Sequence, residues 1–325
     1  MKDDIYLPFQ TESILSSYSF YPYYLNPLVC QGYDVRGILY NHFIHLAYLF
    51  RLDMISQVAA FLNGGVAKKQ YRRSLIRDYT DDPIEYIKGN LRKNRYAIAI
   101  LNAKYIKAIS FDREWNHDWV IYGYDDIKQV FFCAGYAVDI SCHAFNFKYV
   151  EISYKDFPFA LRSIKEKFEN TTTIRPAFYW LYENYIPEPI NLNKIKRDVF
   201  IYAYSLLPFV FNAKIYGKYA FIFRLYHQKN EKQFDLRPLK VLCEHKRLLH
   251  QMMADLVPDS AAAREFQGIV NLANTIQMTA LKYNMTKRNK QKAIDTICDA
   301  LHKLRAEEPR VMRLFYRELK GLPKS

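Results

Sequence analysis

Four short apolar runs between Tyr96 and Ile152 constrain the fold of this chain more than any other feature. Tyr96-Ala97-Ile98-Ala99-Ile100-Leu101 is a nearly continuous apolar run of the kind a buried strand shows. Trp119 to Tyr124 reads as a second strand, and Asp125-Asp126 form the turn that leads into a third, Gln129 to Ala134. Adjacent aspartates suit a tight turn because their side chains bond the backbone that follows. Phe147 to Ile152 alternates inward and outward residues as a fourth strand, and Ser153 to Phe157 opens a helix running towards Phe168.

Helical patterns flank this centre. From Tyr21 to about Leu62, Leu39, Phe43, Leu46 and Phe50 recur at the three- and four-residue spacing of an amphipathic helix. Pro83 to Ile87 begins a shorter helix, with Asp81 or Asp82 as its cap and Pro83 in its first turn. Thr171 to Thr173 close the strand-rich half, and Pro176, Pro187 and Pro189 punctuate the chain after it. Beyond Asn193 the pattern is helical, in segments near 193–212, 234–256, 259–284, 287–306 and 308–320, with no further convincing strand. An α+β fold follows, with a core over 1–175 and a helical domain over 190–325.

Charge points towards acidic partners. With 47 basic and 33 acidic residues the net charge is +14, which attracts carrier proteins and phosphopantetheine thioesters as well as nucleic acid. The basic runs Lys68 to Arg73 and Lys282 to Lys292 read as solvated surface. The five Cys are scattered, without disulfide or metal-site spacing, which suits a reducing compartment. Met1 to Ile5 is not a secretory start, and the apolar run from Tyr202 to Ala213 is far shorter than a bilayer span. A soluble cytoplasmic protein with no membrane partner is expected.

Among candidate chemical groups His117 stands first, at the start of an apolar strand where an imidazole can face a cleft as a general base. The alternative is a surface histidine beside Asp118. An orienting carboxylate belongs on the neighbouring strand, where Cys133 to Tyr136 carry none and Asp139 is the nearest acid. A nucleophile is best placed at a helix N-terminus. The first helix begins near Phe20, with Ser16, Ser17 and Ser19 just ahead of it; Ser19 is the best placed and Ser17 the next, although both can also serve as caps. Cys30 falls towards the end of that helix and reads as a core residue. His42, His45, Glu244, His245 and His250 lack the spacing of a metal site and read as solvated or capped helical residues. Nucleotide-loop and zinc-protease motifs do not occur, so no cofactor and no metal is expected.

The run His117-Asp118-Trp119-Val120-Ile121-Tyr122-Gly123-Tyr124-Asp125-Asp126 has a further significance. With Val130 to Tyr136 and then Glu151-Ile152-Ser153-Tyr154-Lys155-Asp156-Phe157, it resembles the butirosin-biosynthesis acyltransferase (BtrH-like) family. That family shares the papain-like fold of bacteriocin double-glycine peptidases. The run Asp235 to Lys246 is similar to the helical tail of members found beside nonribosomal peptide synthetase genes. The resemblance implies a papain-like cysteine-peptidase-type core of N-terminal helices and antiparallel sheet. It implies acyl transfer from a carrier protein, or hydrolysis, by a Cys at the first helix, a His and a strand acid. His117 matches the His. The Cys position falls within Ser16 to Tyr21, none of which is Cys, and the acid position falls near Gly135.

Three functions follow as expectations. One is an acyltransferase or thioesterase of nonribosomal peptide or polyketide biosynthesis. There Ser19 or Ser17 is the nucleophile, His117 the base, and the substrate arrives on the phosphopantetheine arm of an acidic acyl or peptidyl carrier protein. Another is an inactive relative that serves as a binding or scaffold module in a synthetase assembly. The third, nucleic-acid binding, rests on charge alone and has no helix-turn-helix, zinc-finger or RNA-binding motif behind it.

Overall fold

Antiparallel pairing of the apolar runs builds one of two compact units, and long amphipathic helices build the other. The computed structural model describes residues 4–17, 20–49, 51–54, 71–75, 82–109, 113–139, 144–161, 177–181, 187–204, 209–211, 214–216 and 233–322. The first unit comprises residues 1–34 and 64–186, the second residues 35–63 and 187–325. The chain is therefore α+β, with an antiparallel sheet and C-terminal helices. A single cut between 175 and 190 does not describe these units, because residues 35–63 belong with the second.

In the first unit, the strands are β1 (Asp4–Tyr6), β4 (Tyr71–Leu75), β5 (Ala97–Asn102), β6 (Asn116–Asp125), β7 (Val130–Asp139), β8 (Ala144–Ser153) and β9 (Ala177–Leu181). They form one sheet in the order β4-β9-β5-β6-β7-β8, with β1 pairing to β6. β5 covers β6 from Asn116 to Ile121, and β1 takes over from Gly123 to Asp125. Gly123 permits this change of partner, since a Cβ there would lie 2.4 Å from the Ile5 carbonyl oxygen. Each of the four apolar runs read from the sequence lies in a strand; β9 was not anticipated, and it inserts between β4 and β5.

Local chemistry sets the turn and the helices around this sheet. Asp125 accepts the backbone N–H groups of Ile127 and Lys128 at 2.9 Å, as a turn aspartate should. Asp126 does something else: its carboxylate takes the Lys88 ammonium at 2.8 Å and the Tyr154 hydroxyl at 2.8 Å. Lys88 belongs to α3 (Pro83–Leu91), whose N-cap is Asp82, accepting from Ile84 and Glu85, with Pro83 at the first helical position. The hairpin tip is thus tied to a helix. α1 (Phe20–Cys30) starts where expected. The helix expected after Ser153 spans 157–161 among the described residues.

The second unit departs further from the sequence reading. Of the helical pattern expected from Tyr21 to about Leu62, the part beyond α1 is α2 (Arg36–His42), then β2 (Leu46–Leu49) and β3 (Arg51–Met54). Phe50 lies outside the described residues. The helical spacing holds for Leu39 and Phe43, but at Leu46 pairing to other strands overrides it. β10 (Phe209–Phe211) and β11 (Lys214–Tyr216) join β2 and β3 in the order β10-β11-β2-β3, so strands do occur beyond Asn193. The helices are α4 (Leu192–Tyr204), α5 (Leu236–Leu256), α6 (Ala261–Thr286) and α7 (Lys290–Gly321). α7 replaces two expected helices and runs through Pro309. Its buried positions Ile297, Ala300, Leu304, Glu308, Val311, Phe315 and Leu319 keep the helical period across the proline.

Glu308 on that stripe is buried for a reason. Its Oε1 lies 2.5 Å from Lys246 Nζ and 3.0 Å from the Tyr202 hydroxyl, and Lys246 also reaches His245 Nδ1 at 3.2 Å. His245 Nε2 donates to the Ile44 carbonyl at 2.8 Å. Burial and the neighbouring Lys246 hold the His245 pKa well below its usual value, so it stays neutral and can accept from the ammonium. His45 is likewise pushed down to about 4 by burial. The expectation that these histidines are solvated or merely capped is therefore corrected. Lys246→Met leaves the Glu308 carboxylate buried without its cation and should cost about 3–5 kcal/mol, read from denaturant unfolding of the helices. Adding Glu308→Leu should recover most of that loss; a single-variant cost near zero contradicts the network.

Candidate functional site

His117 occupies the second position of β6, opposite Leu101 of β5. Its side chain is largely enclosed. The Trp115 ring lies 4.6 Å from the imidazole by centroids, the Tyr136 ring 6.3 Å and the Trp119 ring 6.4 Å. Nδ1 stands 3.0 Å from Asp118 Oδ1 and 2.9 Å from the Asp118 carbonyl oxygen. Both are acceptors, which puts the proton on Nδ1 and leaves Nε2 as the basic nitrogen of the neutral ring. Burial works against the charged ring, but the hydrogen bonds and charge of Asp118 outweigh it, and the pKa is raised above 6.5.

Among the described side chains, the carboxylate paired with His117 is therefore that of the adjacent residue on its own strand. Packing explains why β7 carries none at the implied position. A Cβ on Gly135 would lie 2.4 Å from the six-membered ring of Trp119, so the indole already fills that space. Asp139 ends β7 opposite Ala144, four residues past Gly135. Its carboxylate lies outside the described side chains.

The serines are divided in the same way. Ser19 lies outside the described residues. Ser17 is buried, three residues ahead of α1, and the hydrogen bonds of His117 run to Asp118 and not to Ser17. What approaches His117 here is Tyr136 of β7, whose hydroxyl donates to the Ser16 carbonyl. From α1 itself Tyr23 donates its hydroxyl to the Asp118 carbonyl, the oxygen that His117 also reaches. Burial, then Asp118 and Tyr136, hold the Tyr23 phenol well above its normal pKa, so it is a fixed neutral donor. Tyr23 and Tyr136 are missed by sequence reasoning because 28 Tyr offer no contrast; Asp118 was legible as the neighbour of His117.

Thiol chemistry has little support here. Cys30 ends α1, and burial raises its pKa; burial raises Cys133 well above normal and Cys243 to about 12. Such thiols stay protonated and weakly nucleophilic. Among the described residues no group of three His, Cys, Asp or Glu side chains is placed to hold a metal ion, and no helix is long and apolar enough to cross a membrane. No protein-family model matches the chain, and no curated protein matches it.

The pairing carries a pH signature. A histidine with a raised folded pKa adds stability that is fully present below its unfolded value near 6.5 and is lost as pH rises through the folded value. Histidine-selective NMR titration should place His117 above 6.5, and Asp118→Asn should lower it. A wild-type midpoint at or below 6.5 contradicts the Asp118 pairing.

Proposed function

We propose that this chain is a non-catalytic binding module of natural-product assembly, a relative of the BtrH-like acyltransferases. On this reading its papain-like first unit keeps the family's histidine position without the nucleophile. One observation carries the reading: His117 is walled by Trp115, Trp119 and Tyr136, and its hydrogen bonds end on its own neighbour Asp118. The motif from His117 to Asp126 supports the family link, and the net charge of +14 supports an acidic acyl or peptidyl carrier protein as partner. The carrier would present its phosphopantetheine arm to the module. Charge alone also attracts nucleic acid, but such binding would fall steeply with salt and show no preference for a carrier protein.

The His117–Asp118 pair favours a second reading, acyl transfer or thioester hydrolysis. In it Asp118 orients the ring, Nε2 acts as base, and Ser17 or Ser19 attacks the thioester carbonyl. The serine proton passes to His117 as the serine oxygen bonds to the carbonyl carbon, and the sulfur of the arm, leaving as its C–S bond breaks, takes that proton from His117 to become the thiol. One experiment separates the two: calorimetry with acyl-loaded carrier protein, followed by intact mass of both proteins. The binding module predicts association with the acyl mass retained on the carrier. Acyl loss that disappears in His117→Ala establishes the second reading, and absence of association and turnover together removes both.

A further inference from the structure

The sheet of the first unit carries a second recess, separate from the His117 shell. A groove of about 370 Å3 is lined by Val150 and by six aromatic or charged residues, Tyr6, Phe9, Tyr122, Phe132, Tyr149 and Glu151. Strand register brings its walls together. Phe132 pairs with Glu151 and Ala134 with Tyr149, so Phe132, Tyr149 and Glu151 share one face. Tyr122 and Phe132 form a buried floor, while Tyr6 and Tyr149 stand 63% and 51% exposed. Tyr6 lies 4.4 Å from the Phe132 ring and meets Tyr122 edge-on at 5.3 Å; Tyr149 meets Tyr122 edge-on at 5.8 Å. The Tyr149 hydroxyl donates to the Phe9 carbonyl at 3.0 Å, which fixes the ring.

The chemistry of the lining selects a cation. Aromatic faces are electron-rich, and Glu151 is the one formal charge among the six. An ammonium already sits at the rim: Lys128 Nζ is 6.0 Å from the Phe132 centroid and 3.8 Å from Glu151 Oε1, on a side chain 59% exposed. Lys128 shows where a positive group is held, on a side chain that itself stays largely exposed. A quaternary ammonium is bulkier and less hydrated, and it gains more from ring faces on several sides. We propose that the groove is a binding site for a small quaternary ammonium compound of the choline type, a positive headgroup with no carboxylate of its own. Glu151 would repel the carboxylate of a betaine, whereas choline carries none.

Choline titration of the full chain, followed by NMR of the tyrosine rings, tests this. Choline should perturb Tyr6 and Tyr149, and its neutral carbon isostere 3,3-dimethylbutan-1-ol should bind about fivefold or more weakly. Glycine betaine should also bind more weakly than choline. Tyr149→Ala and Glu151→Gln should each weaken choline binding. Lys128→Met should strengthen it by removing the resident ammonium. The opposite signs expected at two exposed charged positions keep the test sound even if Tyr149→Ala alters the fold. Equal binding of the neutral isostere, no effect of choline on the groove tyrosines, or weaker binding in Lys128→Met overturns the proposal. So does tight binding of a trimethyl-lysine peptide that choline fails to displace.

Discussion

The first unit turns on the contact of Trp119 with Gly135. Trp119 is fully buried and lies across the β6–β7 pair where a side chain at 135 would stand. Its indole N–H finds no hydrogen-bond acceptor among the described residues, so packing holds the ring in place. Several features of the candidate site follow from this one contact. With the indole over Gly135, position 135 cannot carry a carboxylate. The acid beside His117 then comes from Asp118, and the ring is enclosed by neighbouring aromatics.

The two units solve the problem of buried polarity differently. In the first, the one buried ammonium among the described residues, Lys88 of α3, is paired with the part-exposed Asp126 carboxylate, and most of the remaining burial is left to rings and alkyl groups. In the second, a lysine, a carboxylate, a phenol and an imidazole are taken into the helical core together, each with a partner. Such a network adds little net stability compared with an apolar core of similar shape, but it punishes any arrangement that leaves one member alone. That asymmetry gives α4, α5 and α7 one preferred register.

Much of the sheet was legible because its signals were local. The hairpin from Trp119 to Ala134 announced itself by two apolar runs around Asp125-Asp126, and Asp82-Pro83 marked a helix start. What failed was non-local. Leu46 satisfies a helical spacing, yet β2 pairs with β3 and with β11, more than 150 residues away in sequence. The chain between 306 and 308 read as a helix boundary, because no local rule says that Glu308 faces Lys246. At the site, His117 was readable as a candidate and Asp118 as its neighbour. The enclosure by Tyr23 and Tyr136 was not, since a tyrosine that lines a site and one that merely packs look alike in sequence.

The crowding at Gly135 sets two elementary expectations against each other. A strand glycine replaced by alanine ordinarily gains about 0.5–1 kcal/mol through lower backbone entropy in the unfolded chain. Overpacking against Trp119 should instead cost about 1–3 kcal/mol. The decisive measurement is the unfolding free energy of Gly135→Ala, alone and combined with Trp119→Phe. Destabilisation by the single change, relieved when the smaller ring is present, is the predicted result. A Gly135→Ala protein at least as stable as the parent would contradict the account, because the acid position would then be open and the closure of the His117 site would need another cause.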